Sequence, residues 1–438
     1  MDYAETCKYL FNQLPMFERQ GSSGYKEGLA NTLAFDDHFG HPHRQYATIH
    51  VAGTNGKGSV SHTIAAILQE CGYRVGLYTS PHLVDFRERI RVDGIPVSED
   101  YVVNFVNSER NFIDSLHPSF FEVTTAMAFK YFQERNIDVA VVEVGLGGRL
   151  DCTNIITPLL SIITNISFDH TQFLGDTLAK IAAEKAGIIK EGVPVVIGEA
   201  TEETRPVFEE HAHKLKAPII FAQDHPEVTF GTTNDNGGMT YQTQHGGELK
   251  GDLGGIYQER NMNTVLTALQ VLEKEGFLIT IDCEKELYCP EISKAVAHVA
   301  KTTGLMGRWQ TIQQTPKVIC DTGHNVGGWQ FISHQLQHLE CQHLHIVFGM
   351  VDDKDIDGVL KLLPIDASYY FTKADSHRAL KEDLLQQKAN AYNLKGDSYP
   401  MVAQAFKAAM RQASKDDVIY VGGSSYVVGD FLKSRKIK

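Results

Sequence analysis

The hydrophobic positions of this chain follow two spacings, one typical of strands and one typical of helices. Residues 46–51 alternate in polarity and predict a strand, and the apolar positions from Val60 to Leu68 then have the three-to-four spacing of a buried helical stripe. Residues 137–144 and 159–165 are nearly continuous apolar runs, which are typical of central parallel strands covered on both faces. The alternation of strands and helices predicts a mostly parallel sheet with helices on both faces.

The remaining elements of this first part of the chain are less regular. Residues 1–45 predict a helical lead-in with a flexible loop at 21–26, and its candidate core positions are Tyr9, Leu10, Leu14, Phe17, Leu29, Leu33 and Phe35. Residues 223–256 are rich in Gly, Thr, Asn and Gln with short alternations, so they predict a small antiparallel sheet. The other predicted elements are strands at 74–79 and 193–198 and helices at 99–114, 122–135, 176–190, 261–274 and 291–303.

A second strand–helix pattern follows residue 316. Its predicted strands are 317–320, 343–348, 368–372 and 417–421, and its predicted helices are 328–339, 355–362, 378–389 and 400–413. A chain of 438 residues is too long for one ordinary core. We therefore predict an α/β fold in which residues 1–303 form one domain, 304–310 a hinge, and 311–438 a smaller α/β domain.

Composition indicates where the protein is located and which binding partners are excluded. The net charge of -13 argues against nonspecific nucleic-acid binding, and it means that an anionic substrate needs local Lys and Arg side chains. The seven cysteines include no Cys-x-x-Cys pair, which is typical of reduced thiols. The first residues lack the features of a signal peptide, and no apolar run approaches the ~20 residues that span a bilayer. We expect a cytoplasmic protein that binds neither nucleic acid nor a membrane.

The glycine-rich segment between the first strand and the first long helix is the strongest motif. Its sequence is Gly53-Thr54-Asn55-Gly56-Lys57-Gly58-Ser59. A strand, a glycine loop and a helix N-terminus create a site for phosphate, and a lysine adds a full positive charge. The spacing departs from the common Gly-x4-Gly-Lys-Ser/Thr form, since Gly58 separates Lys57 from Ser59. The alternative is a plain turn, but a turn alone requires neither the lysine nor the serine.

Polar residues lie at the ends of other predicted strands, where ligands of open α/β sheets bind. Ser80, Glu143 and His170 together offer two oxygens and one nitrogen, a set that suits a divalent ion beside nucleotide phosphates. Glu143 is unexpected in an apolar run, since a buried carboxylate is costly unless it is paired or binds a metal. An ion pair between Glu143 and Arg149 is the simpler alternative for that carboxylate. A histidine in the position of His170, taken by itself, is more often an ordinary loop histidine than a metal ligand.

Lys185 is unexpected because helical spacing places it on a buried face. The apolar positions of that face are Leu178, Ile181, Ala182, Ile188 and Ile189. Spacing alone favours a lysine whose stem packs while its amine reaches water.

In the second domain, Asp321–Asn325 form another polar cluster after a predicted strand. Arg308 in the hinge is placed to reach a phosphate in the first domain. The alternative for Arg308 is a structural ion pair.

Taken together, these motifs resemble those of the folylpolyglutamate synthase/dihydrofolate synthase family within the Mur ligase superfamily. The matching segments follow one another from about residue 28 to 430 and are Gly53–Ser59, Thr79–Leu83, Phe86–Ile90, Phe121–Ala126, Val142–Asp151, Asp169–His170, Leu174–Thr177, Glu184–Ile188, Asp321–Asn325, Gly349 and Asp353–Asp355. Many Mur ligases share the glycine loop, whereas the segments at Thr79–Leu83 and Phe86–Ile90 point to the folate branch.

The resemblance implies a P-loop-type, mostly parallel ATPase sheet with a small antiparallel sheet, followed by a smaller Rossmann-like α/β domain. It implies a monomeric, ATP-dependent ligase in which a dihydropteroate or folate carboxylate attacks the γ-phosphate of ATP. The amino group of L-glutamate then attacks the acyl phosphate and releases phosphate. This scheme agrees with the residues, because a carboxylate is a poor acyl donor until it is phosphorylated, and bringing two anions together requires Mg²⁺ and lysine charge. A monovalent cation is also compatible with the family.

The resemblance also assigns roles to single residues. The implied ATP-binding residues are Thr54, Asn55, Gly56, Lys57, Gly58, Ser59, Asn261, Arg308 and Asp321. The implied metal ligands are Ser80, Glu143 and His170, and the implied catalytic residues are Lys57, Lys185 and His324. The implied pterin contacts are Phe121, Glu122, Leu150, Asp151 and Cys152. Lys185 matches a lysine that becomes carbamylated. Carbamylation explains a lysine on a buried face better than an aliphatic stem that packs while the amine reaches water.

Two departures and three alternatives remain at this stage. The family's usual Asp-Gly-Ala-His-Asn is Asp-Thr-Gly-His-Asn here, and its hinge Pro-Gly-Arg is Met306-Gly307-Arg308. The first alternative is an enzyme that only extends the glutamate tail, and the second is a nucleotide-dependent switch that leaves the Asp321–Asn325 cluster without a role. The third is a cell-wall Mur ligase, for which we expect an additional N-terminal domain before the glycine loop.

Overall fold

The computed structural model describes residues 1–15, 28–278, 281–282 and 287–436. Its largest sheet has eight strands, which are β1 (Ala47–Ala52), β2 (Val75–Tyr78), β3 (Ile90–Val92), β4 (Ile95–Pro96), β5 (Val139–Glu143), β6 (Leu160–Ile163), β7 (Val195–Ile197) and β8 (Ile219–Phe221). The strand order is β4-β3-β2-β5-β1-β6-β7-β8. The described pairings are parallel except for β2 with β3 and β3 with β4.

Helices cover both faces of this sheet. In chain order they are α1 (Tyr3–Gln13), α2 (Ala30–His38), α3 (Lys57–Glu70), α4 (Glu99–Ser108), α5 (Arg110–Leu116), α6 (Phe120–Glu134), α7 (Thr171–Leu174), α8 (Leu178–Ala186), α9 (Arg205–Lys214), α10 (Gln258–Lys274), α11 (Pro290–Val296) and α12 (Val299–Thr303). Short 3-10 helices lie at Pro42–Gln45, Phe86–Arg89 and Cys152–Ile155. The side chains of α3 and α10 form one core with β1, β5 and β6, whereas α1, α4 and α6 pack in a second core.

Two small antiparallel sheets follow β8. The first contains β9 (Val228–Thr233), β10 (Met239–Thr243) and β11 (Glu248–Gly251). The second contains β12 (Ile281–Asp282) and β13 (Leu287–Tyr288).

The last part of the chain forms a separate six-stranded sheet. Its strands are β14 (Gln310–Gln314), β15 (Lys317–Asp321), β16 (Leu344–Phe348), β17 (Ser368–Thr372), β18 (Gly396–Tyr399) and β19 (Val418–Gly422), in the order β14-β15-β19-β16-β17-β18. Its helices are α13 (Val326–Gln337), α14 (Ile356–Leu360), α15 (Glu382–Asn390), α16 (Val402–Gln412) and α17 (Ser425–Ser434). The described pairings are parallel apart from β14 with β15.

The observed architecture confirms the predicted α/β fold class, with its mostly parallel sheet, small antiparallel sheet and C-terminal α/β unit. Differences lie in local detail. The helix predicted at 291–303 is divided into α11 and α12, and Leu33 is 49% exposed, so its assignment to the core is wrong. The candidate core residue Phe17 and the loop predicted at 21–26 lie outside the described residues.

Within the part of the chain that the structure describes, no helix combines the length and the apolar character needed to cross a membrane.

Core packing around α10 makes a first testable prediction. Leu266 is fully buried in the core shared by α3, α10 and the eight-stranded sheet. Leu266→Ala should lower the free energy of unfolding by about 3 kcal/mol, because the cavity adds to the lost burial. Chemical denaturation measures this change. Leu33→Ala is the matched control, since Leu33 is exposed, and an equal loss in both variants would contradict the packing described.

Candidate functional site

The glycine loop turns in a way that glycine alone tolerates. Gly53 has φ 143°, and a Cβ at this position would lie 1.8 Å from Oγ1 of Thr164. Gly56 has φ 85°, and a Cβ there would lie 2.2 Å from Oδ1 of Asn261. Both glycines are therefore required by backbone conformation and by space. The loop is held between β6 and the start of α10, with its backbone at the N-terminus of α3.

Two side chains of α3 are held next to this glycine loop. Nζ of Lys57 donates hydrogen bonds to the carbonyl oxygens of Gly53 and Thr54 at 3.0 Å and 3.2 Å. Oγ of Ser59 accepts a hydrogen bond from Nε2 of Gln258 at 3.1 Å. Burial lowers the pKa of Lys57, while the charge of Glu143 opposes that change. The lysine is thus fixed over the loop, where the partial charge of a helix N-terminus adds to its own.

The three candidate metal ligands lie at the ends of strands of the same sheet, since Glu143 is the last residue of β5 and Ser80 and His170 follow β2 and β6. Oε2 of Glu143 accepts a hydrogen bond from the backbone N–H of Ser80 at 3.1 Å. Burial raises the pKa of Glu143, and Lys57 opposes this effect. Burial lowers the pKa of His170 to about 3, so its ring is neutral and able to ligate. A hydroxyl, a carboxylate and a neutral imidazole fit a divalent cation beside phosphate.

Lys185 lies in α8 against the loop that follows β5. Its side chain is 4% exposed, so it does not reach water in the way that spacing alone favoured. The backbone of Gly148 packs against it, and a Cβ at Gly148 would lie 3.0 Å from Cα of Lys185. Burial lowers the pKa of Lys185 to about 7, with a further contribution from Lys57. Much of its amine is therefore unprotonated near neutral pH, as reaction with an electrophile requires.

The loop after β15 extends from the six-stranded sheet toward the glycine loop. Asp321 accepts hydrogen bonds from Tyr257 Oη at 2.5 Å and from the backbone N–H of Trp309 at 2.7 Å. Arg308 donates to Oγ1 of Thr322, and its Nη2 is 3.1 Å from where a Cβ on Gly58 would lie. The guanidinium therefore lies beside the first turn of α3.

His324 also faces the first sheet. Its Nδ1 lies 3.1 Å from the carbonyl oxygen of Thr322, and its Nε2 lies 3.1 Å from Oδ2 of Asp169. Both neighbours are acceptors, so a ring nitrogen that carries a hydrogen can donate to one of them. His324 thus lies at the contact between the two sheets.

Two cavities adjoin these residues. The larger, of about 420 Å³, is lined by all nine residues to which the resemblance gives an ATP contact, and also by Ser80 and Glu143. The smaller, of about 220 Å³, is lined by His170, Lys185 and most of the candidate pterin contacts. The residues that line both cavities are Thr54, Lys57, Ser80, Pro81 and His324. The two cavities therefore meet at Lys57, Ser80 and His324.

The candidate pterin contacts divide into two groups. Phe121, Leu150, Asp151 and Cys152 line the smaller cavity. Glu122 is not among its lining residues, because its carboxylate caps α6 by accepting from the backbone N–H of Ser119 at 2.5 Å. The structure therefore places Glu122 in a helix cap behind the cavity wall.

Several residues at this site were not predicted as functional. Asp169, Lys354, Arg378 and Tyr426 all line the smaller cavity. Asp169 and Lys354 lie in segments that carried the family resemblance, so those motifs contained a signal. Arg378 follows β17 by a few residues, and its position after a strand was the only indication. Arg149, considered as a partner for Glu143, forms its ion pair with Glu184 at 2.9 Å.

Comparisons with known proteins agree with this geometry. The family model of the Mur ligase middle domain matches residues 51–262, and the Mur ligase, glutamate ligase domain matches residues 307–425. The chain is 32% identical over 434 residues to the dihydrofolate synthase/folylpolyglutamate synthase of Bacillus subtilis, covering 94% of this chain and 96% of the relative.

Solved structures are similar over nearly the whole chain. Folylpolyglutamate synthase of Mycobacterium tuberculosis, complexed with ADP and AMPPCP, has a TM-score of 0.85 and 30% identity and covers 99% of each chain. E. coli FolC in complex with DHPP and ADP has a TM-score of 0.82 and 28% identity, covering 100% of this chain and 98% of that one. A bifunctional folylpolyglutamate synthase/dihydrofolate synthase with Mn, AMPPNP and L-glutamate bound has a TM-score of 0.80, 27% identity and the same coverage.

Proposed function

The chain belongs to the dihydrofolate synthase/folylpolyglutamate synthase family of Mur ligases, and from this membership we propose that it is an ATP-dependent ligase for L-glutamate. It joins glutamate to dihydropteroate, which gives dihydrofolate, and to the glutamate tail of reduced folates. The relative named for both activities and the similar structures with ADP, DHPP and L-glutamate support this function.

One observation carries the proposal most directly, namely that the two cavities share a wall. Lys57, Ser80 and His324 line both of them. A γ-phosphate held by the glycine loop and a carboxylate held in the smaller cavity would meet at this wall. Such an arrangement brings two reactants together, which by itself supplies a large part of catalysis.

The chain's own residues have distinct tasks in this reaction. The substrate carboxylate attacks the γ-phosphate and forms an acyl phosphate with release of ADP, and the glutamate amine then displaces phosphate and forms the amide. Lys57 and Arg308 stabilise charge at the transferred phosphoryl group. Enclosure between the two sheets excludes water, which would otherwise hydrolyse the acyl phosphate.

Ser80, Glu143 and His170 would hold Mg²⁺ in this scheme. When bound, the ion neutralises phosphate charge and polarises the phosphoryl oxygens. Omission of Mg²⁺ should therefore abolish turnover. Mn in one similar structure supports a divalent cation for this chain.

The glutamate substrate requires positive charge on the other side of the smaller cavity. Lys354 and Arg378 line that cavity from the six-stranded sheet. Nη1 of Arg378 donates to Oη of Tyr426 at 3.3 Å, and the guanidinium also pairs with Asp353. Its side chain is 11% exposed, so it is fixed and largely desolvated. We assign to it the binding of a glutamate carboxylate.

Arg378→Gln should raise the KM for glutamate by about tenfold to 100-fold, as expected for the loss of a charge-assisted hydrogen bond. The KM for ATP should not change, because Arg378 lines only the smaller cavity of the two. Steady-state kinetics with varied glutamate measure the effect. Arg110→Gln is the control, since Arg110 forms an exposed pair with Asp114. An unchanged KM for glutamate would remove this assignment.

The two separate sheets support a division of the chain into two domains. We propose an ATP-binding domain at 1–303, a hinge at 304–310 and a C-terminal domain at 311–438.

We also propose that the protein is a monomer and that it is located in the cytoplasm. The six described cysteines are free thiols, which persist in reducing compartments.

The decisive experiment measures phosphate release with Mg-ATP and glutamate, with dihydropteroate or a reduced folate supplied in turn. Phosphate release with each of the two substrates, and none when both are omitted, is the expected result. Turnover with the folate only would reduce the function to extension of the glutamate tail. Nucleotide hydrolysis that is indifferent to both substrates would replace the ligase by a nucleotide-dependent switch.

A further inference from the structure

Asp169 lies in the cleft between the two domains, and side chains of the C-terminal domain contact its carboxylate. Lys354 forms an ion pair with Oδ1, and both side chains are 8% exposed. Nε2 of His324 and Nδ2 of Asn325 lie 3.1 Å and 3.2 Å from Oδ2. Three donors from the C-terminal domain thus converge on one buried carboxylate of the ATP-binding domain.

The carboxylate of Asp169 is also contacted from its own side of the cleft. The backbone N–H of His170 donates to Oδ1 at 2.9 Å. Both oxygens of Asp169 are therefore engaged by hydrogen-bond donors.

Asn325 extends the same contact to the phosphate-binding loop. Its Nδ2 donates to Oδ1 of Asn55 at 2.9 Å and to Asp169, while its Oδ1 accepts from Nδ2 of Asn55 at 3.2 Å and from the backbone N–H of Gly328 at 2.9 Å. These four bonds use the whole capacity of an amide side chain. Three of them cross the cleft, so Asn325 is fully satisfied only while the domains are in contact.

We propose that Asp169 is a positioning residue that holds the two domains closed, places Lys354 in the smaller cavity and places His324 at the wall shared by the two cavities. The residues of this interdomain clasp are Asn55, Asp169, His324, Asn325 and Lys354. The consequence for catalysis rests on the proposed ligase function, whereas the consequence for domain contact does not. Substrates and products must pass the cleft, so the clasp opens and closes in each turnover.

The first test examines domain contact without any substrate. Asp169→Asn keeps the shape of the side chain but presents an N–H₂ group or a neutral oxygen to Lys354, and Lys354→Met removes the same pair from the other side. Both variants should have a larger radius of gyration by small-angle X-ray scattering than the unaltered protein. Asp357→Asn is the matched control, because it breaks an exposed Asp–Lys pair with Lys388 within one domain. This control should leave the radius unchanged.

The second test separates a clasp from a metal ligand or a general structural role. In Asp169→Asn, kcat should fall about 100-fold, the loss expected from slight misplacement of reacting groups. The KM for ATP and the affinity for Mn²⁺ in the presence of a non-hydrolysable ATP analogue should not change. The double variant with Lys354→Met should be little worse than either single variant, because residues in one interaction are not additive.

Several outcomes would overturn the clasp. A wild-type radius and wild-type kcat in Asp169→Asn would do so. Weaker Mn²⁺ binding in Asp169→Asn, combined with a wild-type radius in Lys354→Met, would make Asp169 part of the metal site instead. If the unaltered protein ligates no glutamate but both variants still expand, the proposed function fails and the clasp stands.

Discussion

Lys57→Met should lower the rate of ATP-dependent glutamate ligation by about 1,000-fold, the cost observed when a preorganised charge-stabilising group is removed from an active site. Methionine keeps most of the length of the lysine stem but lacks its charge and donors. Nζ of Lys57 contacts the carbonyl oxygens of Gly53 and Thr54, so it lies over the loop where phosphates would bind. The same side chain lines both cavities. Its loss would therefore act at the point where we propose that phosphoryl transfer occurs.

Two measurements on Lys57→Met distinguish a slower chemical step from a loss of stability. Single-turnover formation of the acyl phosphate, trapped by hydroxylamine, measures the chemical step, and thermal unfolding reports on stability. Lys388→Met is the matched control, since Lys388 is on the surface and pairs with Asp357. A rate for Lys57→Met within threefold of the unaltered protein would contradict the assignment of this loop to phosphate binding.

The central strands of both sheets were predictable from sequence, and the edge strands were not. β5 and β6 are covered on both faces, so their sequences are nearly continuous apolar runs. β14 at the edge of the second sheet has the polar sequence Gln-Thr-Ile-Gln-Gln. β18 at the opposite edge, Gly-Asp-Ser-Tyr, is equally polar. An edge strand buries little side-chain area, so pairing with its neighbour determines its conformation and hydrophobic spacing does not.

The candidate site could be predicted where its residues are close in sequence. The glycine loop lies within a single short segment, and its glycines, lysine and serine indicate a candidate phosphate site. The contact between Asp169 and Lys354 joins residues 185 positions apart, and each is an ordinary charged loop residue by itself. Only the folded chain brings them together. The resemblance named their segments but gave neither of them a partner.

Glu122 illustrates a different limit of sequence reasoning. The family resemblance assigns it to the pterin contacts together with Phe121, and Phe121 does line the smaller cavity. On a helix, however, adjacent residues point in directions about 100° apart. The carboxylate of Glu122 is used to cap α6 together with Ser119. A segment that matches a family motif therefore contains both residues that face the cavity and residues that stabilise its wall.

Lys185→Ala should also lower the ligation rate by about 1,000-fold, as expected for a group that acts on charge at the reacting centre, and it should leave ATP binding intact. The side chain is 4% exposed and lies on the cavity that also contains His170. Burial lowers the pKa of Lys185 to about 7, which leaves a nucleophilic amine at neutral pH. This neutral amine would react with CO₂ to form a carbamate with release of one proton, so an uncharged nitrogen would gain an anionic carboxylate in the cavity that His170 lines.

Carbamylation of Lys185 makes the prediction specific. Protein prepared without CO₂ should lose activity and regain it when bicarbonate is added, whereas Lys185→Ala should not respond to bicarbonate. Carbon-13 NMR with labelled bicarbonate should give a carbamate signal in the unaltered protein that is missing from the variant. Lys180→Ala is the control on the same helix, because Lys180 is exposed and pairs with Asp176. The response to bicarbonate depends on the side chain that carries the carbamate. Full activity of Lys185→Ala would therefore refute this role.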